Sequence, residues 1–136
     1  MKLQVNIKEE GWGKDFEYFD IDLVSENVAE VKSYPLLSYI NYGDVVSIEK
    51  KENVYLFKNI NKKSGWKIFR IVFLDKEIKP EVMYDSIKVL HDMGCHLEKP
   101  YYLVATLSFP PSSDFIKIEE EILKISKKIN IEYERI

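Results

Sequence analysis

The sequence predicts an α+β fold, a small N-terminal β-sheet or partial barrel followed by a ferredoxin-like βαββαβ half. Three observations carry this expectation. Residues 1–62 alternate apolar and polar side chains with the period of strands and contain no helical run. Beyond residue 63 the period switches twice to that of amphipathic helices, each flanked by strands. The resulting order of strand, helix, strand, strand, helix, strand is that of the split βαβ unit. The halves are therefore placed at 1–62 and 63–136, expected to form one compact unit.

The elements follow in order. "KLQVNIK" sets Leu3, Val5 and Ile7 against polar neighbours, the alternation of a half-buried strand. "GWGK" is a turn. "EYFDIDLV" puts Phe19, Ile21 and Leu23 on one face, with Asp20 and Asp22 on the other. "AEVKSYPLL" is short, because Pro35 cannot donate to a ladder. "GDVVSIEK" and "NVYLFKNI" read as a hairpin around 50–53. "GWKIFRIVFL" is apolar on both faces, hence central. Pro80 opens a helix where its missing N–H is not needed, Met83, Ile87 and Leu90 form its stripe, and Gly94 suits a left-handed stop. "CHLEK" is a short strand, and "YYLVATLSF" a second buried one. After Pro110-Pro111, Ser112, Ser113 or Asp114 can cap a helix whose stripe is Phe115, Ile118, Ile122, Ile125 and Ile129. "INIEYERI" is the last strand.

Composition excludes several classes. The 46% hydrophobic content supports a packed core, and 13% aromatics argue against disorder. No apolar run approaches the ~20 residues of a membrane span, and "MKLQVNIKEEGWG" lacks a signal-peptide core. A single cysteine allows no internal disulfide, so a reducing cytoplasm is expected. The net charge of −3 argues against direct nucleic-acid binding. It is unevenly spread: residues 1–60 hold 11 acidic and 7 basic side chains. Glu17, Asp20, Asp22 and Glu26 lie in the densest acidic stretch, which reads either as a solvated face or as a surface attracting a basic partner.

Chemistry-bearing residues are few. Cys95 sits between Gly94 and His96, with His91 upstream. A nucleophilic thiolate needs a lowered pKa and a base, but Cys95 follows a helix C-terminus, whose dipole disfavours the anion. One Cys and two His make a thin ligand set for zinc. Cys95 is therefore expected to be a small buried residue, and no metal or cofactor is expected. Arg70 interrupts an apolar strand and needs a buried carboxylate, for which Glu98 is the expected partner. Gly43-Asp44 reads as a turn whose Asp bonds nearby backbone N–H groups. No phosphate loop, GxSxG or two-His helix motif occurs, and no enzymatic activity is expected.

Five short motifs in order, "GDVV", "SGWKIFRIVF", "MGCHLEK", "ATLSFPP" and "YERI", resemble the bacterial domain-of-unknown-function 4265 family. The resemblance runs from about Glu17 to the last residue, and its pattern matches at Gly43, Asp44, Gly65, Arg70, Gly94, Cys95, Glu98, Pro110, Pro111 and Glu134. Trp66 stands where the family pattern often has histidine, so a catalytic base at that position is not available here. The resemblance implies no assigned activity.

The functional expectation is a non-catalytic protein-binding module, most concretely an immunity protein neutralising a basic toxin domain such as a nuclease. The competing expectation is a small-molecule sensor or regulatory domain, for which an apolar pocket between the lobes would speak.

Overall fold

The computed structural model describes residues 1–98 and 100–136. It divides into two units, Met1–Trp66 and Lys67–Ile136.

The first unit is a closed five-stranded barrel of β1 (Lys2–Asn6), β2 (Phe16–Ser25), β3 (Val28–Val31), β4 (Val45–Lys51) and β5 (Val54–Lys62). Each strand pairs antiparallel with the next, and β1 closes on β5 in parallel through Leu3↔Tyr55 and Gln4↔Leu56. The period-two alternation sends Leu3, Val5, Phe19, Ile21, Ala29, Val31, Val46 and Ile48 into the core. Burying a large apolar side chain of this kind contributes about 1.5–3 kcal/mol. Register shifts in β2 against β3 and in β4 against β5 supply the bends that a small barrel needs. The sequence predicts only a small sheet or partial barrel. Closure goes beyond it because the β1–β5 pairing is non-local and leaves no mark on the alternation itself.

The second unit is a mixed α+β layer: β6 (Lys67–Phe73), α1 (Pro80–His91), β7 (His96–Leu97), β8 (Val104–Phe109), α2 (Phe115–Ser126) and β9 (Ile131–Arg135). The sheet order is β7-β8-β6-β9, antiparallel throughout. Phe69, Ile71, Phe73, Leu107 and Phe109 on one sheet face pack with Met83, Ile87, Leu90, Ile118, Ile122 and Ile125 of the two helices. Asp114 is the residue that caps α2, accepting from the Lys117 N–H at 3.1 Å. Pro80 opens α1, and Gly94 takes φ +96° beyond its end. The other sheet face carries Ile68, Arg70, Thr106 and Ser108, all buried.

Two strands are shorter than expected. β7 keeps only His96 and Leu97 of "CHLEK", and Lys99 lies outside the described residues. β8 begins at Val104, because Tyr101 and Val104 exchange backbone hydrogen bonds around a tight turn with Tyr102 at φ +52°. Among the described residues no helix is long and apolar enough to cross a membrane.

Candidate functional site

The outward row of β2 is built by strand parity. Phe19 and Ile21 point into the barrel, so Phe16, Tyr18, Asp20, Asp22 and Val24 point out. Tyr18 is 58% and Val24 64% exposed, large apolar surfaces that the barrel core does not use. The acidic charge here is only partly free. Asp20 faces Lys2 in register and pairs with it; that hydrogen bond and charge hold its carboxyl below the usual range. Glu30 pairs with Lys32 at 3.2 Å, which raises the pKa of the lysine, and the same ammonium lies 5.9 Å above the Tyr42 ring. Asp22 sits across from Glu30 on this face, and Glu26 is exposed where β2 turns into β3.

Glu17 does not belong to this face. It shares the inward parity of Phe19 and Ile21, and its carboxylate accepts three backbone N–H groups, from Leu36 (2.9 Å), Leu37 (2.8 Å) and Ser38 (2.9 Å). Through these bonds it anchors the 36–38 segment. The odd spacing 17, 19, 21 carried that signal in the sequence.

Gly43 and Asp44 act together. Asp44 is fully buried and accepts from the N–H of Asn41 (2.9 Å) and of Ser64 (2.8 Å), with the Lys63 ammonium at 3.6 Å. Gly43 takes φ +82°, and a Cβ there would stand 3.0 Å from Ser64 Cβ. The "GDVV" and "SGW" motifs are thus two sides of one joint. Trp66, at the position where the resembled pattern often has histidine, closes edge-on to Tyr34 and Tyr42, whose rings stack at 4.9 Å. This is an aromatic packing cluster in the first unit.

Arg70 is 2% exposed and donates from Nε to Thr106 Oγ1 (3.2 Å) and from Nη1 to Glu134 Oε1 (3.1 Å). The expected partner, Glu98, instead faces His96 Nε2 at 2.8 Å. The sheet order explains the correction: β8 separates β7 from β6, whereas β9 is the direct neighbour and sets Glu134 opposite Arg70. Pro110 ends β8, its carbonyl accepting from Ser113 N–H at 3.0 Å, and Pro111 lies exposed beyond it.

Cys95 is buried, its thiol 3.7 Å from the Leu90 carbonyl oxygen, and burial pushes its pKa up to about 12. A thiol held that high is a poor nucleophile at neutral pH. Cys95→Ala is expected to cost no more than about 1–2 kcal/mol, the range of a small buried change. The native thiol should also alkylate far more slowly than that of the denatured chain. Rapid labelling by iodoacetamide under native conditions would contradict this placement.

A family model described as a domain of unknown function (DUF4265) matches residues 19–133. A hypothetical protein from Neisseria gonorrhoeae, known from its crystal structure, is similar over 98% of this chain and 91% of its own, with TM-score 0.71 and 21% identity. At that identity the likeness concerns the fold alone. No curated protein matches the chain.

Proposed function

The chain belongs to the DUF4265 family, and from that premise we propose that it is a non-catalytic protein-binding module, most concretely a cytoplasmic immunity protein that neutralises a basic toxin domain such as a nuclease. The observation that carries this reading is the outward row of β2. Asp20 and Asp22 lie between exposed Phe16 and Tyr18 on one side and Val24 on the other. Aromatic and apolar anchors flanked by carboxylates are what a basic protein surface would meet, the anchors supplying contact and the charges steering and register. Glu26 extends the acidic rim, whereas the Glu17 carboxylate is engaged with the 36–38 backbone. We read the second unit, from its order β7-β8-β6-β9, as the ferredoxin-like half, which follows the barrel in sequence.

Reversing both charges tests the reading. Asp20→Lys/Asp22→Lys should leave the fold intact, because the Lys2–Asp20 pair is solvent-exposed and water screens what such a pair adds to stability. Affinity for the basic partner, to be sought first among the products of neighbouring genes, should fall by several orders of magnitude, as like charges then oppose each other across the contact. Association of the wild type should slow with added salt, since screening acts beyond about 8–10 Å. Titration calorimetry and stopped-flow mixing, each at low and high salt, check the two. An unchanged affinity of the double variant removes β2 from the interface.

A further inference from the structure

We propose that the second unit carries a binding site for a small aromatic carboxylate, in the cleft between the start of α1 and the turn that leads into β8. The proposal is independent of the β2 face and stands whether or not that face binds a protein.

The cleft has a volume of about 610 Å³, within the range of small-molecule sites. Ile78, Met83 and Leu103 form its apolar floor, continuous with the core of this unit. Tyr84 and Tyr102 stand at its rim, 44% and 81% exposed. Lys76 is the single charged side chain lining it among the described residues, and no carboxylate accompanies it.

The backbone at the rim supplies a separate observation. Tyr102 holds φ +52°, a left-handed conformation that L side chains avoid and that tight turns ordinarily give to glycine or asparagine. Its ring is almost wholly in solvent apart from edge-on contact with Tyr101, at 4.7 Å between centroids. The strained backbone thus presents a large aromatic that the core does not use. Strain that packing does not reward clusters at ligand sites.

The chemistry of the walls selects the ligand. Two tyrosine rings and a methionine thioether favour a flat aromatic body, by offset or edge-on contact and by sulfur–ring contact. The Lys76 ammonium at the edge of an apolar floor favours an anion over a neutral or cationic group, because it offers a bound carboxylate an opposite charge. A planar aryl group carrying one carboxylate satisfies both.

The test is a titration of the whole 15N-labelled chain with 2-naphthoate and with its neutral amide, 2-naphthamide, into the millimolar range. Saturable shifts are expected at the amides of Ile78, Met83 and Leu103 with the carboxylate, and about tenfold weaker binding of the amide, the effect of one favourable charge contact. Lys76→Glu should weaken the carboxylate at least as much and leave the amide unaffected. Tyr102→Asn removes the ring and suits the turn; it should abolish binding while melting no lower than the wild type. Both positions are on the surface, so these variants fold. Three results would each overturn the proposal: no saturable shift at those amides, equal affinity for acid and amide, or wild-type binding by Tyr102→Asn. A lower melting temperature for Tyr102→Asn would assign the ring to the fold and overturn it as well.

Discussion

Glu134→Gln should lower the stability of the chain by about 2–3 kcal/mol, more than Arg70→Met at the other end of the same pair. The asymmetry comes from burial. The Arg70 guanidinium is 2% exposed, whereas the Glu134 side chain is 53% exposed. Removing the carboxylate's charge leaves a buried cation that cannot shed its proton, because arginine stays charged at every accessible pH. Removing the guanidinium leaves a carboxylate that water can reach and puts an unbranched apolar chain in its place. The cost of the glutamate change is set below the roughly 3–5 kcal/mol of a fully buried pair because of that same water access. Urea denaturation of Arg70→Met, Glu134→Gln and the double variant gives the cycle, read as midpoints at constant slope. The double variant should resemble Arg70→Met alone, since no buried cation then remains to be left without a counter-charge. Equal losses from both single changes would mean that the pair does not carry the buried charge.

Asp44→Ala should cost about 3 kcal/mol, because it strips the acceptor from two backbone N–H groups, each worth about 1–3 kcal/mol when left without one in the interior. Those groups belong to Asn41 and Ser64, so the loss falls on the 41–44 turn and on the chain just before Trp66. Asp44→Asn should cost less, about 1–2 kcal/mol, since one oxygen remains while the new amide donor meets a second donor. Gly43→Ala should act on the same joint by a different route, through a left-handed φ of +82° and a crowded Ser64 Cβ. Tryptophan fluorescence reports the outcome, since Trp66 packs on Tyr34 and Tyr42 two residues beyond Ser64. An Asp44→Ala variant that unfolds at the wild-type urea midpoint would show that water replaces the carboxylate without loss.

How much of this could be read from the sequence depends on how local each decision is. Pro80, Asp114 and Gly94 mark their helix ends by backbone chemistry confined to a turn, and all three sit where that chemistry requires. The stripes Met83–Ile87–Leu90 and Ile118–Ile122–Ile125 follow from spacing alone. The carboxylate opposite Arg70 does not. Glu98 and Glu134 are chemically equivalent choices, and only the order of strands in the sheet selects between them. Glu17 falls between these cases. Its parity with Phe19 was visible, but the N–H groups that hold it come from a segment without regular structure about twenty residues away. The left-handed Tyr102 was legible least of all, because neither its type nor its neighbours suit that conformation.

The seam that closes the barrel has a consequence for how the chain is made. Fifty-two positions separate Leu3 from Tyr55. At a synthesis rate of about 5–20 residues per second, β1 leaves the ribosome roughly 3–10 seconds before the strand that will cover its second edge exists. Through that interval the nascent first unit is a sheet with a bare flank, the template that another chain's strand could join. Lys2, Gln4 and Asn6 are the side chains β1 turns outward, one charged and two strongly hydrated, and Lys2 meets Asp20 as soon as β2 follows. The waiting flank is therefore short and polar on its solvent side, features that discourage capture by a neighbouring nascent chain.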